Sequence, residues 1–269
     1  MDTKRPVDIK RDSGGQADIG SEADGAIVEM FEYNGILLTI KERSIYELAL
    51  ADNIDPKREN PDLPTTVHRL VLNRGTESEL VCRTFLTAKR LFKESCLLQT
   101  VNTTNTLSLA MEAVKELVTL DDEINEYLNF EKKVSEEYEE RRGKKLSYSI
   151  PSVTDVNTRC KTIFQKADHV TQTLMEIITV FYPNSGLTKQ SHFPRFHEFL
   201  KKQYGDGDNF AKFIEDSVKF LELVRSLRNC LDHRLKEVQV KDFELQVSSD
   251  VLSPTIEIKP FAAKHFRDS

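Results

Sequence analysis

The chain has 269 residues, of which 39% are hydrophobic, so it can bury one large core or two modest ones. Its formal net charge of −6 argues against a uniformly basic surface that coats nucleic acid, although it is compatible with a local basic site. The four cysteines form no Cys-x-x-Cys pair, and no segment is apolar for long enough to cross a bilayer. These features predict a soluble, cytoplasmic protein with reduced cysteines and neither a metal ion nor a cofactor.

The first 75 residues are predicted to form a disordered tail, a hairpin, a short helix and a proline-rich loop. Residues 1–25 are rich in Gly, Asp, Ser and Lys and have little to bury, which predicts the disordered tail. Asn34-Gly35 lies between two apolar blocks and is typical of a hairpin turn, although a strand that leads into a helix is the alternative. The short helix is predicted over residues 41–52 and the surface loop over residues 53–68, where prolines remove backbone donors.

Residues 76–236 are predicted to form four or five helices joined by short loops. Thr76 and Glu79 have the spacing of a capping box, which predicts that the first helix begins there and runs to about Leu98. Apolar side chains that recur every three or four residues predict the others, and the last is the most clearly amphipathic. The later helices are predicted over residues 107–142, 152–182, 192–205 and 209–234.

Past Arg234 the apolar residues alternate with polar ones, as they do in half-buried strands. Residues 237–269 are therefore predicted to form a small antiparallel ribbon on the same domain, and we expect it to pair with the N-terminal hairpin. The predicted fold class is mainly α. It is an up-and-down bundle of four to five helices with a small accessory antiparallel β element from the N- and C-terminal segments.

Polar groups suited to phosphate chemistry gather at the end of the last predicted helix: Arg225, Arg228, Asn229, Asp232 and His233. Histidine has an ordinary pKa near neutral, so His233 is the predicted general acid or base. Arg228 carries forked donors that match phosphate oxygens. Asn229 lies four residues before His233, on the same helix face, and could orient the ring or the substrate. Arg225 and Asp232 are predicted to bind the substrate.

The segment from Arg228 to His233, read Arg-Asn-Cys-Leu-Asp-His, resembles the signature of the HEPN family (higher eukaryote and prokaryote nucleotide-binding domains). That signature is an arginine, then a polar residue, then a histidine four to six positions past the arginine. The resemblance covers residues 76–234 in architecture and six residues in motif. It implies a helical bundle that forms a homodimer. It also implies a metal-independent ribonuclease of a toxin-antitoxin or defence system, with RNA as substrate and an antitoxin or another protein as partner.

The same residues also fit a structural role. A separation of five residues puts Arg228 and His233 about 140° apart around an ideal helix, so one helix alone does not bring them together. They would meet where the helix ends or tightens, or across a twofold axis. Arg228 and Asp232 could form only an ion pair, and His233 could cap free carbonyls. The competing interpretation is therefore a non-catalytic helical module for dimerisation or another protein contact.

Other chemistry has weaker support in the sequence. His192 and His197 lack a third ligand at the usual spacing for zinc. Asp206-Gly207-Asp208 starts like a calcium loop but has no closing glutamate, so a turn and a helix cap explain it better. The chain contains no P-loop, no GxGxxG and no GxSxG motif, so ATP hydrolysis, dinucleotide binding and acyl transfer are not predicted.

Overall fold

The computed structural model describes residues 4–13, 18–97, 101–142 and 149–259. The chain divides into two compact units, Met1–Val114 and Lys115–Ser269. No helix in the described ranges is both long enough and apolar enough to cross a membrane.

The N-terminal unit is built on a four-stranded antiparallel sheet whose strands lie side by side in chain order. Asn34 and Gly35 both have positive φ, at 50° and 74°, and join the first two strands, so the predicted hairpin is confirmed. The elements of this unit are α1 (Pro6–Asp12), β1 (Ile27–Tyr33), β2 (Ile36–Lys41), β3 (Ile45–Leu50), α2 (Ala51–Ile54), β4 (Thr66–Leu72), α3 (Glu79–Val81), a π-helical turn (Cys82–Leu86), α4 (Thr87–Leu91) and the start of α5 (Thr103–Arg141).

The helix predicted over residues 41–52 is wrong, because half of that segment, Ile45–Leu50, forms strand β3 and only Ala51 and Asp52 are helical. This strand pairs with β2 on one side and β4 on the other, so its backbone groups are satisfied by the sheet. Ile45 and Tyr46 are buried there, and β-branched and aromatic side chains suit a central strand. The last residues of the predicted surface loop, from Thr66, likewise belong to β4.

The first predicted helix is shorter than the sequence indicated. Its helical residues begin at Glu79 and end at Leu91. Ser78 precedes the helix and makes no side-chain cap, and Thr76 instead donates its backbone N–H to the carbonyl oxygen of Lys41. Residue 98, where the predicted helix ended, lies outside the described residues.

Helix α1 lies within the segment predicted to be a disordered tail. Its anchor is Arg11, whose side chain is only 1% exposed. The guanidinium donates to the Asp52 carboxylate at 3.0 Å and to the Asp55 carboxylate at 2.8 Å. It also donates to the carbonyl oxygens of Asp55 and Asn60. The segment is thus ordered by ion pairs together with the burial of Val7, and hydrophobic patterning does not detect the ionic part of this anchor.

Acidification is expected to release α1. Backbone N–H groups of Glu59 and Asn60 donate to the Asp55 carboxylate and, with Arg11 and against the effect of burial, hold its pKa at about 2. This pKa is lower than that of an unfolded aspartate, so the stabilisation is present at neutral pH. It is lost as the pH falls from about 4 towards 2. Limited proteolysis and hydrogen exchange of residues 6–12 should show protection at neutral pH and loss of protection over this window.

The matched control for α1 release is Asp55→Asn, which should weaken protection already at neutral pH and flatten the pH dependence. Protection of α1 that is unchanged at pH values below the pKa of Asp55 would contradict this explanation.

The C-terminal unit packs helices α6, α7 and α8 around one apolar cluster that contains Met175, Phe196, Leu200 and Ile214. Asp208 caps α8 as predicted, because its side chain accepts from the backbone N–H groups of Phe210 and Ala211. The elements of this unit are the rest of α5, then α6 (Val156–Phe181), α7 (Phe193–Tyr204), α8 (Asn209–Asp232), β5 (Val238–Lys241), β6 (Glu244–Leu245), β7 (Val251–Leu252) and β8 (Thr255–Ile258).

The predicted fold class, mainly α with a small accessory β element, is wrong. In the described residues the four-stranded sheet is a main part of the N-terminal unit, and two further two-stranded sheets are present. The C-terminal strands pair among themselves, β5 with β8 and β6 with β7, instead of with the N-terminal hairpin. Residues 260–269 of the predicted ribbon lie outside the described residues.

Candidate functional site

A cleft of about 1160 Å³ is formed by α6, the loop that follows it, α7 and α8, all in the C-terminal unit. This volume is slightly above the roughly 300 to 1,000 Å³ of typical small-molecule sites. Polar and charged side chains predominate in its lining. Those that matter for chemistry are Asp168 from α6, Lys189 and His192 from the loop, Arg195 and Glu198 from α7, and Glu222, Arg225, Arg228 and Asn229 from α8.

The loop between α6 and α7 places His192 in the cleft. Helix α6 ends at Phe181, shortly before Pro183, and Gly186 takes a positive φ of 70° that turns the chain. His192 is the extended residue that directly precedes α7, and Pro194 near the helix start favours initiation there. The imidazole is therefore presented to the cleft from the junction of loop and helix.

The pKa of His192 is lowered from its ordinary value. The largest cause is partial removal of the imidazole from water, and the positive charge of Arg225 acts in the same direction. Asp168 acts in the opposite direction but does not reverse the shift. His192 is consequently neutral at pH 7 and has a free nitrogen lone pair that can accept a proton.

The pKa of Glu222 is shifted in the opposite direction to that of His192. Burial raises the pKa of its carboxyl group, although Arg225 acts to lower it. Two titratable groups of the same cleft therefore have pKa values that are shifted towards each other, since histidine ordinarily titrates above glutamate. Such environments are typical of acid–base pairs in active sites.

Arg225 is available to bind a ligand. Among the residues that the structure describes, its guanidinium makes no hydrogen bond and no ion pair, although its charge acts on both His192 and Glu222. The side chains of Lys189 and Arg195 are also without such a partner in the described ranges. Acidic side chains line the same cleft, so the site has mixed charge, with Arg225 beside the imidazole.

Arg228 is held more firmly. Its Nε lies 2.8 Å from Asp232 Oδ2 and 3.8 Å from Asp168 Oδ2. The shorter approach is an ion pair that lacks the alignment of a hydrogen bond. One terminal nitrogen donates to Asn229 Oδ1 at 3.0 Å. About a third of the Arg228 side chain is still exposed, so its guanidinium can reach a ligand from a fixed position.

Asp232 acts as the centre of a network and not as part of the cleft lining. Besides Arg228, it receives a hydrogen bond from Gln165 at 2.8 Å and pairs with Lys161 at 3.1 Å. Burial acts to raise the pKa of Asp232, but the contacts with Lys161, Gln165 and Arg228 together lower it. The carboxylate thus ties the end of α8 to α6, and the geometry does not present it to a substrate.

Only some of the residues predicted from the motif line the cleft. Arg225, Arg228 and Asn229 line the cleft, whereas Asp232 and His233 are not among its lining residues. His233 directly follows α8, is exposed, and donates its backbone N–H to the carbonyl oxygen of Asn229. It therefore occupies a capping position at the helix end.

Sequence reasoning did not predict the roles of His192, Glu222 and Asp168. Pro194 marks a helix start and so places His192 at a helix end, but its approach to Arg225 depends on the packing of α7 against α8. Glu222 lies one turn before Arg225 on a recognisable helix, and only burial distinguishes it from a solvated glutamate.

In the described part of the chain, no three His, Cys, Asp or Glu side chains are grouped closely enough to hold a metal ion. Comparison of the chain with protein-family models, with curated proteins and with solved structures found no match. The chemistry of the cleft is therefore the basis on which a function can be assigned.

Proposed function

We propose that the chain is a metal-independent ribonuclease whose active site is the cleft formed by α6, α7 and α8. One observation supports the proposal above all: His192, with a lowered pKa, lines the same cleft as Arg225, whose guanidinium has no hydrogen-bond or ion-pair partner among the residues that the structure describes. RNA cleavage without a metal needs a proton acceptor for the 2′-hydroxyl and a fixed cation for the phosphate, and these two side chains supply them.

The proposed reaction begins when the 2′-hydroxyl oxygen attacks the adjacent phosphorus and His192 accepts the hydroxyl proton. A 2′,3′-cyclic phosphate forms as the bond from phosphorus to the 5′ oxygen breaks. Arg225 and Arg228 offset the charge that develops on the phosphoryl oxygens. Glu222, whose raised pKa helps it to keep a proton, gives that proton to the departing 5′ oxygen.

This proposal keeps part of the resemblance to the HEPN family and changes another part. Arg228 keeps its role at the phosphate, and Asn229 supports Arg228 through the hydrogen bond that it accepts. The role of proton acceptor is assigned to His192 instead of His233, because His192 lines the cleft and His233 does not. His233 remains the competing base if a second copy of the chain brings it to the cleft.

RNA cleavage should be measured with purified protein, single-stranded RNA and a chelator, and the products should be checked for a 2′,3′-cyclic end. Replacing Arg225 by alanine is expected to lower the cleavage rate by about 10²- to 10³-fold, as the loss of one transition-state donor does. The fold should be unaffected, because in the described residues this guanidinium makes no hydrogen bond and no ion pair.

The control is Arg83→Ala, which removes an exposed cation of the N-terminal unit and should leave the rate unchanged. The proposal fails if RNA stays intact, or if the wild type and Arg225→Ala cleave equally, which would indicate a contaminating nuclease.

A protein interaction module is the second candidate. It is favoured by the outer face of α8, where Phe213 and Phe220 are 63% and 65% exposed. A second copy of the chain and an antitoxin are the partners that the resemblance to the HEPN family implies for such a surface.

A further inference from the structure

Asp168 is a buried acidic residue that lines the cleft, although the proposed substrate is itself negatively charged. Its side chain is only 8% exposed. A carboxylate that is removed from water in this way is costly unless donors satisfy it, and a phosphate beside it is repelled. The proposed reaction assigns no role to Asp168, so its place in the cleft has another cause.

The Asp168 carboxylate is only partly satisfied within the protein. Gln172 Nε2 donates to Oδ2 at 2.8 Å, and Arg228 Nε lies 3.8 Å from the same oxygen, beyond hydrogen-bond distance. The other oxygen, Oδ1, accepts no hydrogen bond from any residue in the described ranges. The enclosed side-chain atoms that lack a partner do not include Oδ1, so this oxygen is open to the cleft. A carboxylate offers about four acceptor positions, so most of this capacity remains for a ligand.

Asp168 lies beside both groups that are assigned to the reacting phosphodiester. Besides its approach to Arg228, its charge acts on His192. In the proposed reaction Arg228 binds the phosphate, and His192 takes the proton from the 2′-hydroxyl of the nucleotide on the 5′ side. The ribose of that nucleotide carries its base on C1′, the carbon next to the one that bears the 2′-hydroxyl. This base is therefore the part of the substrate that can meet Asp168.

Asn229 supplies unused donors from α8. Its Oδ1 accepts from Arg228, which can only donate, so the amide nitrogen is on the other branch of the side chain. That nitrogen donates to no acceptor in the part of the chain that the structure describes, and Asn229 lines the cleft. The cleft thus presents free acceptors on Asp168 and free donors on Asn229, close to the proposed phosphate site.

Guanine is the base whose edge matches this set. Its Watson–Crick edge carries two adjacent donors, N1–H and N2–H, followed on the other side by one acceptor, O6. Adenine, cytosine and uracil each carry a single donor group on that edge with an acceptor beside it. A carboxylate can only accept, so that acceptor would face an oxygen and be repelled.

We infer that Asp168 and Asn229 form a guanine-binding subsite, in which the carboxylate accepts from N1–H and N2–H and the Asn229 amide donates to O6. The inference rests on the proposed function for the position of the phosphate, and it makes the chain a ribonuclease that cleaves on the 3′ side of guanosine. Recognition of the base needs no catalysis, so guanine binding and RNA cleavage can be measured separately.

Binding of nucleoside 3′-monophosphates to the purified full chain, measured by isothermal titration calorimetry, tests the subsite directly. The guanosine compound should bind about 10- to 100-fold more tightly than the adenosine, cytidine and uridine compounds, as a bidentate contact to one base does. Inosine 3′-monophosphate lacks only the N2 amino group and should bind about tenfold more weakly than the guanosine compound, because it loses one hydrogen bond to a charged acceptor. Equal affinities for all five nucleotides overturn the inference without the use of any variant.

Asp168→Asn should change which base the subsite prefers. Asparagine keeps one acceptor and adds a donor, which matches N6–H and N1 of adenine, so the preference for guanosine over adenosine should fall at least about tenfold. The difference between guanosine and inosine should shrink with it. A variant that keeps the wild-type ratios and an unchanged circular dichroism spectrum contradicts the role given to Asp168.

The matched control is Asp232→Asn, which removes the other carboxylate beside Arg228. It should weaken the binding of every nucleotide by a similar factor and leave their ratios unchanged, because Arg228 contacts the phosphate and not the base. A loss of guanosine preference in Asp232→Asn as well would show that Asp168 acts only through Arg228, and the subsite would be wrong.

Cleavage of short RNAs distinguishes the subsite from the ribonuclease activity. Oligonucleotides with a single ribose, all other positions being 2′-deoxy, should be cut fastest when that ribose carries guanine. If no RNA is cleaved and the guanosine compound still binds most tightly, the ribonuclease proposal fails and the cleft is a site for a free guanine nucleotide. If cleavage is equally fast at every base, the proposed function stands and the guanine subsite is overturned.

Discussion

Replacing Phe196 by alanine is expected to lower the free energy of unfolding of the C-terminal unit by about 3 to 5 kcal/mol. The Phe196 side chain is fully buried in the cluster that joins α6, α7 and α8. Its ring lies 5.4 Å from the ring of Tyr182 and 6.1 Å from that of Phe210. The neighbouring side chains come from α6, α7 and α8 and are fixed by the packing of these helices. They cannot move far enough to fill the cavity that the substitution leaves. Urea denaturation of the purified variant measures the change.

The matched control is Phe213→Ala, the same substitution on α8 at a position that is mostly exposed. This variant should unfold within about 0.5 kcal/mol of the wild type. Equal losses for the two variants would mean that α7 is not packed on α8 as described. The cleft depends on that packing, since α7 and α8 both contribute residues to its lining.

The helices of the C-terminal unit were predictable because their apolar spacing is sustained over many turns. The predicted spans 152–182 and 209–234 correspond to α6 (Val156–Phe181) and α8 (Asn209–Asp232). Long amphipathic segments bury one face against neighbours whatever those neighbours are, so local pattern is enough. Caps such as Asp208 then fix the boundaries.

Strand β3 was not predictable in the same way. Its six residues fit a short helix as well as a strand, and only pairing with both β2 and β4 decides between the two. Helix α1 was missed for a different reason, since Arg11 and its two aspartate partners lie far apart in the sequence. In both cases the deciding contacts are long-range, and a local pattern carries no information about them.

The residues of the candidate site also differ in whether a local sequence pattern could indicate them. Arg225, Arg228 and Asn229 could be selected from the sequence because they share the polar side of one recognisable helix near its end. His192 could not, because nothing local indicates that the loop after α6 returns to α8. The motif instead indicates His233, which follows the last helical residue and is not among the residues that line the cleft.

His192→Gln is expected to lower RNA cleavage by about 10²- to 10⁴-fold, the usual contribution of a general base. Glutamine keeps a polar side chain of similar length at the start of α7 but cannot take up the proton. His233→Gln is the matched variant, and it should retain activity because His233 is exposed at the helix end. If His233→Gln is inactive and His192→Gln is active, the proton transfer belongs to the HEPN-like motif and the site requires a second subunit.

The pH dependence gives a sharper distinction between a catalytic and a structural role for His192. The base form of His192 is the neutral imidazole, and its lowered pKa keeps that form present below neutral pH. The acid form of Glu222 is the protonated carboxyl, and its raised pKa keeps that form present at higher pH than is usual for a glutamate.

The cleavage rate should therefore be greatest below pH 7. It should fall on the acid side as His192 is protonated and on the alkaline side as Glu222 loses its proton. Glu222→Gln should remove the alkaline fall and His192→Gln the acid fall, each measured as the residual rate against pH with the fold monitored in parallel. A wild-type rate that rises steadily to alkaline pH would exclude this acid–base pair, because it would show that a protonated carboxyl is not needed.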